Sequence, residues 1–321
     1  MDVDRDAVRH AAFAGRDGRE LRFRGWKEPS NPTLERTSMP IYPLKQVDPS
    51  AQSTALYDEW IDEIRQQLEA GEDRWEICRR TLTGLFHPHH ADADPRSLPL
   101  AAQAALAQMD ARNVTLEPEY YAEVDEAKFY ARKPLLWMWQ MFDRSPLGGN
   151  VHVGVRFRRM LAPFILKRVG RNFKAFHFVE FSYGYNLEVG DDVVVHRNVL
   201  LDDRGGIVLG DRVSISDYAN IYSHTHSIVD QRDVSNLKTV IGEGVRITYH
   251  ATVLAGTHVG DNAMVGAMAL ATKDVRPFHV NVGIPAKSVR VKPNAPPEAY
   301  KLTLRKDGDA PAPQGQGAGE D

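Results

Sequence analysis

From about residue 180 onward the large aliphatic residues recur every six positions, a period that few folds accept. They stand at Val189, Val195 and Leu201, at Leu209, Ile215 and Ile221, and then at Ile241, Ile247, Val253, Val259, Val265 and, more weakly, Ala271. Four positions after each anchor comes, in almost every unit, a small or β-branched residue, from Val193 and Val199 to Ala269 and Val275. Glycine follows the anchor at Gly190, Gly210, Gly242, Gly260 and Gly266. Helical periodicity fails over this span. A six-residue unit of this kind is one short strand plus a tight corner, the large aliphatic filling the interior and the small residue letting the chain turn. Three units close a triangular coil. Successive coils stack at the ordinary inter-strand spacing of about 4.8 Å and satisfy one another's backbone hydrogen bonds.

The register breaks twice. Leu201 to Leu209 is a step of eight residues, which reads as a bulge at Gly205-Gly206. Ile221 to Ile241 is a step of twenty, so fourteen residues leave the coil as a loop just after Ser223-His224-Thr225-His226.

The chain before the repeat reads differently. Residues 1–50 carry Pro29, Pro32, Pro40, Pro43 and Pro49 without sustained periodicity, as an irregular arm would. Residues 51–170 read as a helical module. Leu56, Trp60, Ile61, Ile64 and Leu68 share one helical face, and Gly71 ends that helix. A second stretch runs through Ile77, Leu82 and Leu85, a third from Leu98 to Met109, and a fourth begins at Pro134. A fifth carries Phe157, Met160, Leu161, Phe164 and Ile165. Arg156, Arg158, Arg159, Lys167 and Arg168 on or beside that last helix read as a solvated basic face rather than a membrane-binding one. Trp137 and Trp139 read as core caps. His87-Pro-His89-His90 reads as a loop rather than as a metal-ligand cluster. Residues 293–321, ending in an Ala/Pro/Gln/Gly-rich stretch after Asp307, read as a disordered tail.

Composition excludes several function classes. The 40 basic and 43 acidic side chains leave a net charge of −3, which gives no footprint for nucleic acid. The one cysteine, Cys78, cannot form an intramolecular disulfide or a thiolate metal cluster, and its neighbours suggest a small buried residue. The start has no apolar run of the secretory kind and no stretch is long enough to span a membrane, so the expected location is the cytoplasm and membrane association is not expected.

The segment from about Phe173 to Lys292 resembles the hexapeptide-repeat acyltransferases, in particular the maltose, galactoside and nodulation-factor O-acetyltransferase branch. The carriers are Phe181-Ser-Tyr-Gly-Tyr-Asn186-Leu-Glu-Val-Gly-Asp191, Ile221-Tyr-Ser-His-Thr-His226, Val259-Gly-Asp-Asn, Thr272-Lys-Asp274 and Gly283-Ile-Pro-Ala-Lys287. The resemblance implies a mainly β fold, a left-handed parallel β-helix over residues 171–292 with an α-helical N-terminal extension. It implies a homotrimer, and transfer of an acyl group from acetyl-CoA or another acyl-CoA to a hydroxyl of a small-molecule or glycan acceptor, a sugar or glycoside. No metal is expected. The first 130 or so residues match nothing in that family.

On this resemblance the family's catalytic histidine falls on His226, with His224 as second choice. In the repeat register Thr225 points inward, which turns both imidazoles outward at the lip of the loop. Asp203 falls where the family has an acceptor-contacting aspartate, and the bulge is expected to expose it. His196 takes the place of the family's acceptor-site asparagine. Lys273, Lys287 and Arg290 match cationic positions for the coenzyme A phosphates, and Ala267 and Thr272 match its backbone and hydroxyl contacts. Arg246, Thr248 and Tyr249 depart from the family pattern along the expected pantetheine channel. With Cys78 outside the repeat and no G-x-S-x-G elbow, direct transfer is favoured over a covalent acyl-enzyme. The competing readings are N-acylation of an amino-sugar nucleotide and a β-helix scaffold without catalysis. A zinc hydratase of the γ-carbonic anhydrase type would need an H-x₄-H pair, which the sequence lacks.

Overall fold

The structure, a computed structural model, describes residues 47–90 and 93–300. Most of the expected arm, and the tail beyond residue 300, lie outside the described residues. Residues 293–300 do not continue as tail: Pro297–Tyr300 forms a 3₁₀ turn, and Ala299 is buried.

The six-residue repeat builds a left-handed parallel β-helix of about six coils. Its three faces are parallel ladders in which the anchors sit one above another. Val169, Val189, Leu209, Ile241 and Val259 stack on the first face. Ala175, Val195, Ile215, Ile247 and Val265 stack on the second. Phe181, Leu201, Ile221, Val253 and Ala271 stack on the third. The solenoid therefore begins one coil before the first anchor counted from the sequence: Val169, Ala175 and Phe181 fill the same slots, and Gly170 follows Val169 as Gly190 follows Val189. Every anchor except Phe181 and the half-buried Val169 is essentially inaccessible to water, and so are the small partners such as Val193, Ala219 and Ala263. Burying a Val, Leu or Ile side chain contributes about 1.5–3 kcal/mol, and this column of apolar residues is the main source of the solenoid's stability.

The helical segments lie against the first coil. Helices Ala51–Glu69, Arg74–Phe86, Leu100–Ala107, Lys133–Phe142 and Val151–Ile165 appear where the apolar periodicity placed them. The first two are capped as their sequences allow: Ser50 Oγ accepts from Ser53 N, and an Asp73 carboxylate oxygen accepts from Trp75 N. Cys78 is fully buried, and burial pushes its thiol up, away from reactivity. Trp139 is buried, donates from Nε1 to the Val179 carbonyl at 2.8 Å and meets the Phe181 ring edge-on at 5.1 Å. His87-Pro-His89-His90 ends in a 3₁₀ turn at Pro88–His90.

The basic face of the last helix is solvated only in part: Lys167 and Arg168 are exposed as expected, but Arg158 is not. Arg158 is 1% exposed and ion-pairs with the equally buried Asp143. Its guanidinium also donates to the carbonyls of Ala175 (3.2 Å) and Gly148 (2.7 Å), while Asp143 accepts from Phe178 N. Arg159 donates to the Phe173 carbonyl at 2.8 Å. These arginines satisfy backbone carbonyls at the end of the solenoid, where the first coil has no earlier coil to bond to. Among the described residues no helix is long and apolar enough to cross a membrane.

Candidate active site

The fourteen-residue insertion leaves the solenoid earlier than the repeat register suggests. Ser223 is the last inward residue; its hydroxyl donates to the Asp202 carbonyl (2.6 Å) and accepts from Gly205 N (2.8 Å), while its own carbonyl accepts from Leu237 N at 2.7 Å. This knot closes the base of the loop. It also explains the glycine of the bulge, because a Cβ at Gly205 would lie 2.1 Å from the Ser223 carbonyl oxygen. Residues His224–His226 then pair antiparallel with Val234–Asn236 as a hairpin. Thr225 is exposed, not inward, because it sits on that hairpin rather than in the coil.

The two histidines of the hairpin are both held through Nδ1. His224 Nδ1 bonds the carboxylate of Asp202, with the imidazole 17% and the carboxylate 5% exposed. His226 is exposed, and its Nδ1 lies 2.5 Å from the Gln231 carbonyl oxygen across the loop. A carbonyl or carboxylate can only accept, so in each ring Nδ1 carries the proton and Nε2 is left as the basic nitrogen. The rings meet edge to face with centroids 5.2 Å apart. Asp202, which the sequence reading passed over, is further fixed by the Ser182 hydroxyl at 2.8 Å.

Asp203 is a correction. The bulge does not expose it: it is fully buried, and its carboxylate accepts from Tyr183 N (2.7 Å) and Asn186 N (3.1 Å), tying down the turn one coil below. Burial pushes its carboxyl up to about 6 against those hydrogen bonds. In this position it cannot touch an acceptor.

Both histidines line a cleft of about 1470 Å³. One wall is the hairpin, from Arg232 to Lys238. Glu117 and Tyr120 to Glu123, from the part of the chain before the solenoid, line it as well, together with Arg204 and Gly205. The Arg204 guanidinium pairs with Glu123 and lies 3.9 Å above the Tyr121 ring centroid, with its side chain only 5% exposed.

The other expected site residues do not reach this cleft within one chain. His196 follows the second-face strand Val194–Val195, at the corner leading to the third face, where its ring stacks on Phe176 at 4.9 Å. Ala267 is exposed at the same corner, three coils further along. Thr272 and Lys273 are exposed at the corner after Leu270–Ala271, the same prism edge that carries the histidine hairpin. They lie two strands beyond Asn220–Tyr222, about 10 Å along the axis. Lys287 and Arg290 are exposed on the closing strand Lys287–Val291, which pairs antiparallel with His279–Val282.

A galactoside O-acetyltransferase of Escherichia coli K12 is 29% identical over 140 residues, which cover 42% of this chain and 69% of that protein. In sequence the chain is similar to named acetyltransferases, and its repeat is the one that the hexapeptide-repeat resemblance implies. It spans 40% to 60% of the length of further curated fungal and Staphylococcus aureus relatives that carry acetyltransferase names. Among solved structures, a maltose O-acetyltransferase from Clostridium difficile 630 aligns with a TM-score of 0.47 and 23% identity over 54% of this chain and 91% of that one. A galactoside acetyltransferase in complex with coenzyme A aligns at 0.47 and 24% over 59% and 91%. No family model matches this hexapeptide-repeat chain.

Proposed function

We propose that this chain transfers an acetyl group from acetyl-CoA to a hydroxyl of a sugar or glycoside, with His226 as general base. The observation that carries the proposal is the His226 imidazole, exposed in the cleft with Nδ1 committed to the Gln231 carbonyl, in a chain related to a galactoside O-acetyltransferase. His226 takes the acceptor proton at Nε2 as the hydroxyl oxygen adds to the thioester carbonyl carbon. It then returns a proton to the departing sulfur. The carbon–sulfur bond breaks, a carbon–oxygen ester bond forms, and no residue is acylated. The exposed Lys273, Lys287 and Arg290, with Ala267 and Thr272, would hold the phosphates and arm of the donor.

These donor residues and His196 divide between different edges of one prism, so a second copy is needed to bring one edge against another. That supports a homotrimer with clefts between subunits, acting in the cytoplasm. Turnover of acetyl-CoA against neutral glycosides and amino-sugar nucleotides tests the activity, and light scattering tests the assembly. Ester products on a sugar hydroxyl and a trimeric mass are the expected results. Amide products would favour the N-acyltransferase reading, absence of any turnover the scaffold reading, and a monomer at micromolar concentration would remove the trimer.

A further inference from the structure

The segment Glu117–Glu123 lies about a hundred residues before His224 in sequence, yet it lines the same cleft as the two imidazoles. It is held rigidly. Glu119 accepts from Leu116 N (2.7 Å) and ion-pairs with the buried Lys133 at 3.0 Å. The Tyr121 hydroxyl donates to Glu117 at 2.5 Å, and the Tyr121 ring packs between Arg204 and the edge of Tyr183. Glu123 is clamped by Arg204, and the Tyr185 hydroxyl accepts from Asp125 N at 3.1 Å just beyond it. Between these anchored residues Tyr120 is left 79% exposed on the rim of the cleft. Its ring is therefore presented to the cleft on a segment whose neighbours carry the structural load.

The charges of the cleft narrow the ligand. Three carboxylates (Glu117, Glu123, Asp233) and three cations (Arg204, Arg232, Lys238) line the cleft, and of the cations Arg204 is committed to Glu123 and Arg232 to Asp230. A diphosphate would meet as many carboxylates as cations here. A neutral polyhydroxylated molecule would find donors and acceptors on both walls and an aromatic face for the apolar C–H side of a sugar ring. The volume, about 1470 Å³, exceeds the roughly 300–1,000 Å³ of ordinary small-molecule pockets, so more than one ring fits.

We propose that Glu117–Glu123 is the acceptor-recognition wall, with Tyr120 the stacking platform for a ring of a neutral oligosaccharide or glycoside. This rests on the acetyltransferase reading above and gives the helical part of the chain a role in specificity. The test uses the full chain with lactose, maltose, methyl galactoside and a dTDP-amino sugar as probes. Binding is read by saturation-transfer NMR, and turnover is read separately with acetyl-CoA. Tyr120→Ala should weaken disaccharide binding about tenfold and raise the acceptor KM to match, leaving the acetyl-CoA KM unchanged, while Tyr120→Phe, which keeps the ring, should stay near wild type. Disaccharide binding that is lost in Tyr120→Ala but accompanied by no acetylation would sustain the wall and sink the acetyltransferase reading. Acetylated disaccharides with no change in Tyr120→Ala would sink the wall alone. Preference for the dTDP-amino sugar, or no carbohydrate binding by the wild-type chain, would also overturn the proposal.

Discussion

His224 is anchored through Nδ1 on the buried carboxylate of Asp202, whereas its neighbour His226, two residues on, is anchored on a backbone carbonyl of the loop. One imidazole is thus fixed by a rigid coil and the other by a hairpin that projects from it. On the proposed reading the two have unequal roles: His226, the more exposed, would meet the acceptor hydroxyl, and His224 would hold the side of the cleft.

The first prediction separates the two rings. His226→Ala should lower kcat by about 10²–10⁴-fold with acetyl-CoA affinity unchanged, the usual loss for a positioned base. Asp202→Asn should lower kcat far less and leave the fold intact. Steady-state kinetics on both variants decide it: if Asp202→Asn and His224→Ala are inactive while His226→Ala turns over normally, the base is His224.

Donor binding is the second. Lys287→Ala and Arg290→Ala should each raise the acetyl-CoA Kd without altering the acceptor KM, since both side chains are exposed on the closing strand. Calorimetry with coenzyme A and its 3′-dephospho form distinguishes the two phosphate positions. Equal affinity of the double variant and the wild type for both ligands would remove these residues from the site.

Asp203 makes a prediction about pH. Its folded carboxyl is raised from 3.8 to about 6, so the folded state binds the proton more tightly than the unfolded state does. Its contribution is therefore present below about pH 4 and is lost as pH rises through about 6. Two units correspond to about 3 kcal/mol. Urea denaturation of wild type and Asp203→Asn across pH 4–7 should show wild type losing ground to the variant as pH rises. A difference that is flat in pH would refute the assignment.

A fourth concerns the junction of helices and solenoid. Asp143→Ala leaves the Arg158 guanidinium buried and unpaired, which costs about 3–5 kcal/mol. The double variant Asp143→Leu with Arg158→Met should recover part of the loss. Denaturation midpoints measure both, and a single-variant cost below about 1 kcal/mol would mean that water enters to solvate the arginine.

The solenoid was legible in the sequence because its rule is local. Each six-residue unit states which side chain is inside, and neighbouring coils repeat the statement, so the anchors, the Gly205-Gly206 bulge and the fourteen-residue insertion can all be counted from a single chain. The helices were legible for the same reason, through one apolar face each. Where the rule was interrupted, the count misled. Thr225 fell on an inward position by arithmetic, but the chain had already left the coil at Ser223, whose hydrogen bonds to Asp202, Gly205 and Leu237 only form when the loop folds back.

What only the tertiary structure decided are the pairings between residues far apart in sequence. Which of two adjacent aspartates faces the histidine depends on the turn of the neighbouring coil: Asp203 is consumed by the backbone at Tyr183 and Asn186, and Asp202 is left to His224. Arg158 looked like a surface charge because its helix periodicity cannot show the open carbonyls of the first coil that it satisfies. Glu123 and Arg204 stand 81 residues apart and belong to different kinds of structure, and their ion pair brings Tyr120 to the rim of the cleft. Local patterning fixes which side chains turn inward along each element; the close approach of elements remote in the chain fixes which polar groups must find one another once water is excluded.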